Sequence, residues 1–162
     1  MDYLFSPWRY RYVSGTRAPG DGCVLCTKLS GQEDERNLIL YRGQYNAVIL
    51  NLFPYTTGHL MILPYAHVSQ LSACPPEARA EMMELAARSE AILNKEYRPD
   101  GINLGMNLGE AAGAGIAAHI HLHVLPRWIA DSNFMTVIAE TRVLPEDLSR
   151  TWQRLHPHFQ PD

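Results

Sequence analysis

Three histidines alternate with aliphatic residues in the run His119-Ile120-His121-Leu122-His123-Val124-Leu125. Successive side chains of an extended strand point to opposite faces of its sheet. The run therefore predicts a strand over 119–125 that places its histidines on one face and directs its aliphatic residues into a core. Three neighbouring imidazoles on one face indicate a chemical site, because histidine changes its protonation state near neutral pH.

The remaining sequence predicts an α+β domain built on a mostly antiparallel sheet with helices packed on one face. Further strands are expected over 38–41, 47–53, 59–63 and 101–107, and the turn residues 54–58 join the second to the third as a hairpin. A long helix is expected to begin near Pro75-Pro76-Glu77 and to stop at 98–101. Its apolar stripe at helical spacing is formed by Met82, Leu85, Ala86, Ser89, Ile92 and Leu93. A short final helix is expected over 145–156, and residues 28–37 are expected to form a loop.

Length and composition predict one domain over residues 1–162, with an N-terminal arm over 1–22 and a C-terminal helix and tail over 145–162. The formal net charge of −3 argues against a general nucleic-acid partner, which favours a strongly basic surface. The sequence contains no apolar stretch long enough to span a bilayer and no secretory signal pattern. We therefore expect no membrane partner and a cytoplasmic location.

The histidine run and its surroundings resemble the histidine triad (HIT) family, whose signature is His-φ-His-φ-His-φ-φ with φ apolar. The glycine-rich loop 108–116, the hairpin from Asn51 to His59 and the pair Pro126-Arg127 agree with this resemblance, which extends from Pro7-Trp8-Arg9 to 131–135. Within this family, the chain resembles in particular the bacterial members that are related to diadenosine tetraphosphate hydrolases and phosphorylases. The resemblance implies the HIT fold, a homodimer whose sheets extend one another, and cleavage at the α-phosphate of a dinucleoside polyphosphate or a related nucleotide.

The resemblance also implies the roles of three histidines. His121 matches the family nucleophile, and a neutral imidazole can attack phosphorus near pH 7 to form a nucleotidyl-histidine. His123 and His59 are expected to donate hydrogen bonds to the phosphate oxygens as negative charge develops there.

Alternation along the hairpin predicts that Ile49 shares a face with Asn51, and that His59 shares a face with Met61. The resemblance implies that Asn51 binds the ribose hydroxyls and that the base lies between Ile49 and Met61. Ordinary core packing explains Ile49 and Met61 equally well, since apolar strand residues are usually buried.

Asn107 and the loop that reaches Gly115 form the predicted phosphate cradle. Glycine allows backbone N–H groups to approach an anion closely, and we expect Gly113 and Gly115 to act in this way. Many family members carry Gln or Ser near the end of this loop, whereas this chain has Gly113-Ala114-Gly115. Contacts there are therefore expected from the backbone.

The pair Cys23-x-x-Cys26 has the spacing of a metal site, and structural zinc takes four Cys or His ligands. The resemblance to the zinc-bearing HIT branch and to galactose-1-phosphate uridylyltransferases implies that His67 and His119 complete the set. Two free thiols beside an unrelated histidine are the alternative.

Two other classes of function remain open at this point. The three triad histidines could together bind one metal ion, or the domain could bind nucleotides with little turnover. Among enzymes, the sequence does not decide between water and phosphate as the acceptor. Cys74 is expected to pack as a small apolar residue, and His156 and His158 are expected on the surface, whereas the role of Trp128 is open.

Overall fold

An open, five-stranded antiparallel sheet forms the centre of this protein in a computed structural model that describes residues 22–131 and 144–160. The strands are β1 (Ile39–Arg42), β2 (Asn46–Leu50), β3 (Leu60–Pro64), β4 (Gly101–Met106) and β5 (Leu122–Arg127), in the order β1-β2-β3-β5-β4. The helices are α1 (Val24–Ser30), α2 (Asp34–Asn37), α3 (Pro76–Tyr97) and α4 (Leu148–Leu155). Short 3₁₀ turns lie at Leu71–Ala73, Glu110–Ala112 and His156–Phe159. The predicted α+β class and the antiparallel sheet are confirmed.

The larger core lies between the sheet and the helices α3 and α4. Alternate residues of β2 and β3 point into it, and they meet the apolar stripe of α3, which is buried as predicted. The Trp152 indole N–H of α4 donates to the carbonyl of Ile39 at 2.9 Å, which ties the C-terminal helix to β1. The helix predicted over 145–156 is shorter than expected, because the Asp147 side chain caps it by accepting from the N–H of Arg150.

The opposite face of the sheet carries a smaller core beneath α1, which differs from the prediction that helices occupy one face. Leu25 and Leu29 of α1 are buried there against residues of β2 and β3. The loop predicted over 28–37 was also wrong, because α1 covers its first residues and α2 covers 34–37. Helices of seven and four residues are too short to be predicted from helix propensity, because packing stabilises them.

The strands near the predicted site differ in their bounds from the sequence patterns. β2 ends at Leu50 rather than at residue 53, which leaves Asn51 just beyond it, and His59 precedes β3 by one residue. β5 begins at Leu122, so that His123 is the one triad histidine within the strand. The expected arm over 1–22 lies, apart from Gly22, outside the described residues. No helix in the described ranges is long and apolar enough to cross a membrane.

Candidate active site

The hydrogen bond of His121 leaves one of its ring nitrogens unprotonated. Its Nδ1 lies 2.9 Å from the carbonyl oxygen of His119, and a carbonyl can accept but not donate. Nδ1 of neutral His121 must therefore carry the proton, and Nε2 keeps its lone pair. Burial lowers the pKa of His121, while the hydrogen bond to His119 raises it in part. The ring is therefore neutral at pH 7, as a nucleophile must be.

His59 and His123 form a directed pair of hydrogen bonds beside His121. The backbone N–H of Tyr55 donates to Nδ1 of His59 at 3.1 Å, so the ring proton of neutral His59 lies on Nε2. That Nε2 lies 2.8 Å from Nδ1 of His123 and donates to it. His123 in turn carries its proton on Nε2. The ring centroids of His121 and His123 are 4.8 Å apart, so this N–H donor stands next to the candidate nucleophile.

The geometry around His59 does not by itself support the predicted contact with the phosphate oxygens. Both ring nitrogens of His59 face protein groups, and its side chain is 1% exposed. The hydrogen bond from Nε2 of His59 instead directs the ring of His123, and a direct contact of His59 with phosphate stays a prediction. Burial, with a smaller contribution from the neighbouring His121, lowers the pKa of His123 to about 4, so that its ring is neutral at pH 7.

Asn51 occupies the turn that leads from β2 to His59. Its Oδ1 accepts from the N–H of Phe53 at 3.0 Å, and its Nδ2 lies 3.3 Å from Nδ1 of His59. The backbone N–H of Asn51 donates to the carbonyl of His59 at 3.0 Å. The structure thus brings Asn51 to the catalytic candidates, at a position where its side chain shapes the turn.

Ile49 and Met61 lie directly opposite one another in the β2–β3 ladder. They are 1% and 7% exposed and belong to the smaller core beneath α1. Core packing accounts for both residues, and neither presents a free surface to a nucleobase in this structure.

The predicted phosphate cradle is placed by the register of the sheet. The β4–β5 ladder ends at the pair of Met106 with Leu122, so Asn107 directly follows the last paired residue of β4 and His121 directly precedes the first paired residue of β5. The N–H of Gly113 donates to the carbonyl of Glu110 at 2.9 Å, which uses that group within its own turn. No hydrogen bond in the described residues joins Gly113 or Gly115 to the histidines, so their role stays a prediction.

Tyr55 is a site residue that the sequence analysis missed. Besides its backbone bond to His59, its ring centroid lies 4.9 Å from that of His59 and 6.2 Å from that of His123. The signal in the sequence was an aromatic residue inside the turn Pro54-Tyr55-Thr56-Thr57-Gly58, where no core packing calls for one.

Four side chains converge at the start of α1, as the resemblance implied. The ligand atoms of Cys23, Cys26, His67 and His119 all lie within 4.8 Å of one another. Nδ1 of His119 is 3.4 Å from the Sγ of each cysteine, and Nδ1 of His67 is 3.3 Å from the Sγ of Cys26. A tetrahedral site with Zn–S near 2.3 Å and Zn–N near 2.0 Å has S···N edges of about 3.5 Å, so the donor set fits zinc.

The hydrogen bond on the far side of the His119 ring supports the same conclusion. Nε2 of His119 donates to the carbonyl of Pro64 at 2.8 Å, which leaves Nδ1 unprotonated and directed at the thiols. Because His119 faces the cysteines while His121 and His123 bond elsewhere, the alternative in which all three triad histidines bind one metal does not fit the structure.

The fold and the site together define the class of protein. It is an α+β domain in which a neutral, buried histidine lies beside a second histidine that donates an N–H. The family model of the HIT domain matches residues 32–128, and the chain belongs to this family.

Individual relatives agree with this assignment. The chain is 36% identical over 157 residues to an AP-4-A phosphorylase of Mycobacterium tuberculosis, covering 93% of this chain and 80% of that protein. It is 27% identical over 93 residues to the asymmetrical bis(5'-nucleosyl)-tetraphosphatase of Schizosaccharomyces pombe, covering 57% of this chain and 50% of the relative. Among solved structures, a Zn-bound histidine triad family protein from Mycobacterium smegmatis matches with a TM-score of 0.69 and 30% identity, over 85% of this chain and 93% of that one.

Proposed function

We propose that this protein transfers a nucleotidyl group from a dinucleoside polyphosphate, such as diadenosine tetraphosphate, through a covalent intermediate on His121. The observation that carries the proposal is the 2.9 Å bond from Nδ1 of His121 to the carbonyl of His119, which leaves Nε2 free to attack. The two relatives named after tetraphosphate-processing enzymes support the same substrate class.

In the first step, the lone pair of Nε2 of His121 forms a bond to the α-phosphorus. The bond from that phosphorus to the bridging oxygen breaks, and the electron pair leaves with the oxygen, so diadenosine tetraphosphate would release ATP. The ring of His121 gains positive charge, and the carbonyl of His119 stabilises it by accepting from Nδ1–H. Nε2–H of His123 would donate to the phosphate oxygens, and the hydrogen bond from His59 supports this orientation of the ring.

In the second step, an acceptor oxygen attacks the phosphorus and breaks the bond to Nε2 of His121. Water as the acceptor yields AMP and loses a proton to solvent, whereas inorganic phosphate yields ADP. The phosphorylase is the second candidate, and the 36% identity to the AP-4-A phosphorylase over 93% of this chain favours it specifically.

The test combines mass spectrometry with product analysis. Incubation with diadenosine tetraphosphate should give an AMP adduct on the wild-type chain and none on His121→Ala. Products formed with and without inorganic phosphate then identify the acceptor, since ADP requires phosphate and AMP requires water. A wild-type protein that binds the dinucleotide without an adduct or products would instead be a nucleotide-binding module.

We further propose that Cys23, Cys26, His67 and His119 hold a structural zinc ion. Support comes from the donor geometry and from the similar zinc-bound structure from Mycobacterium smegmatis. When bound, zinc would supply a cross-link between α1 and the residues that precede β5. Since His121 bonds to the carbonyl of His119, fixing His119 also helps to orient the candidate nucleophile.

We also propose a homodimer in which two sheets join through β4, and a cytoplasmic location. In the described part of the chain β4 pairs with β5 alone, and its Leu104 is 47% exposed. An exposed strand edge of this kind is a template for pairing with a second chain. Sedimentation of wild-type and Leu104→Lys proteins tests the dimer, which the substitution should weaken.

A further inference from the structure

The turn that carries His59 rests on the last residue of α3. Gly58 has a φ of +77°, and a Cβ atom added to it would lie 3.1 Å from Cε2 of Tyr97. Leu93 and Pro126 would lie 3.2 and 3.4 Å from the same position. The Tyr97 ring and Pro126 of β5, the strand that carries His123, therefore both lie against Gly58, the residue before His59.

Tyr97 would be weakly held if α3 alone positioned it, because the helix ends there and Arg98 adopts a left-handed conformation with φ of +46°. Two residues near and within α4 hold it instead. The Tyr97 hydroxyl donates to Oε1 of Glu146 at 2.8 Å, and the guanidinium of Arg154 lies 5.3 Å from the ring centroid. Oε2 of Glu146 pairs with Nη2 of Arg154 at 3.0 Å, which closes the group.

The surroundings of this group favour the contact. The Glu146 side chain is 9% exposed and that of Arg154 is 35% exposed, so their ion pair is partly shielded from solvent. Burial, together with the adjacent Glu146 carboxylate, raises the pKa of Tyr97, so its hydroxyl remains a donor throughout the physiological range. Glu146 and Arg154 also lie beyond residue 128, where the match to the HIT domain ends.

We propose that Tyr97, Glu146 and Arg154 act together as a positioning group that fixes the turn at Gly58-His59 and so maintains the hydrogen bond from His59 to His123. This inference rests on the proposed function for its kinetic consequence. The bond in question is 2.8 Å long, and a displacement of His59 by about 1 Å would break it. His123 would then be free to adopt the wrong tautomer, with its proton on Nδ1 rather than on Nε2.

The decisive substitution is Tyr97→Phe, which keeps the ring and removes the bond to Glu146. We expect kcat for diadenosine tetraphosphate cleavage to fall about tenfold while KM stays within twofold, because substrate contacts are unchanged. Glu146→Ala should have the same effect. Glu146→Gln retains an acceptor oxygen for the Tyr97 hydroxyl and should restore part of kcat.

Tyr41→Phe is the matched control. Tyr41 also packs on the larger core and has an arginine, Arg88, 4.8 Å from its ring centroid, but it does not contact the Gly58 turn in the described contacts. We expect its kcat to equal that of the wild type. Equal losses of kcat in Tyr41→Phe and Tyr97→Phe would show a general effect of core hydroxyl loss and would overturn the proposal.

A second readout does not depend on activity. Nitrogen-15 NMR of labelled histidine should show a slowly exchanging Nε2–H of His59 in the wild type, with faster exchange in Tyr97→Phe and no change in Tyr41→Phe. An unchanged His59 signal with unchanged kcat in Tyr97→Phe would refute the positioning role. If the wild type cleaves no dinucleotide, the proposed function fails, while the NMR comparison still decides whether Tyr97 positions His59.

Discussion

Replacing Gly58 by alanine should lower both the stability and the turnover of this protein. The φ of +77° disfavours any residue with a Cβ atom, and this backbone strain costs about 1–2 kcal/mol. The new methyl group would also lie 3.1 Å from Tyr97 and 3.2 Å from Leu93, and such overpacking costs about 1–2 kcal/mol. The free energy of unfolding should therefore fall by about 2–4 kcal/mol.

The assay is thermal unfolding followed by circular dichroism. For a chain of 162 residues, each kcal/mol lowers Tm by roughly 2–4 °C, so we expect a decrease of roughly 4–16 °C. Gly101→Ala provides the matched control, because a Cβ atom at Gly101 meets nothing within 4 Å, and its Tm should stay within about 2 °C of the wild type.

Turnover separates strain from simple destabilisation. Below Tm, where the Gly58→Ala variant remains folded, kcat should still fall, because Gly58 directly precedes His59 and its displacement disturbs the 2.8 Å bond to His123. If Gly58→Ala and Gly101→Ala unfold at the same temperature, the packing of the turn on Tyr97 is not as described and the reasoning is refuted.

Three further outcomes are expected. Elemental analysis should find one zinc ion per chain in the wild type and in Cys74→Ser, because Cys74 lies in a separate cluster. Cys26→Ser should contain no zinc, and zinc retained by this variant would contradict the proposed ligand set. His121→Ala should lose at least about a thousandfold in kcat, because no other group can form the intermediate, and residual activity within tenfold of the wild type would argue against a covalent route. Below pH 6.5 His123 is protonated in the unfolded state, whereas in the folded state it stays neutral until about pH 4. The free energy of unfolding should therefore fall as the pH decreases across this window. His123 should contribute about 2 kcal/mol to the loss of stability that urea unfolding shows between pH 7 and pH 4.5, so the loss should be smaller in His123→Asn, and equal slopes in the two proteins would contradict the low pKa.

Elements with a periodic apolar pattern were predictable from the sequence, whereas elements that depend on contacts between distant segments were not. The stripe of α3 repeats at helical spacing, and the burial of Met82 through Leu93 follows it. By contrast, α1 has seven residues, and the packing of Leu25 and Leu29 on the opposite face of the sheet stabilises it. Local propensity cannot report such a contact, because the stabilising partners lie in β2 and β3.

The candidate site divides in the same way. Residue types and spacing indicated a histidine site over 119–123 and Cys23-x-x-Cys26 as a metal motif, because the chemistry of these side chains is intrinsic to them, and the resemblance to the HIT family implied that His121 is the nucleophile. The direction of each ring proton depends on which acceptor or donor lies within 3.1 Å, and the tertiary structure decided this by placing Tyr55, His59 and His123 in one line of hydrogen bonds. The alternating histidines thus set the kind of chemistry, whereas the packing of the 51–59 turn set the orientation of the groups that perform it, since a hydrogen bond is specified by positions in space and not by order along a chain.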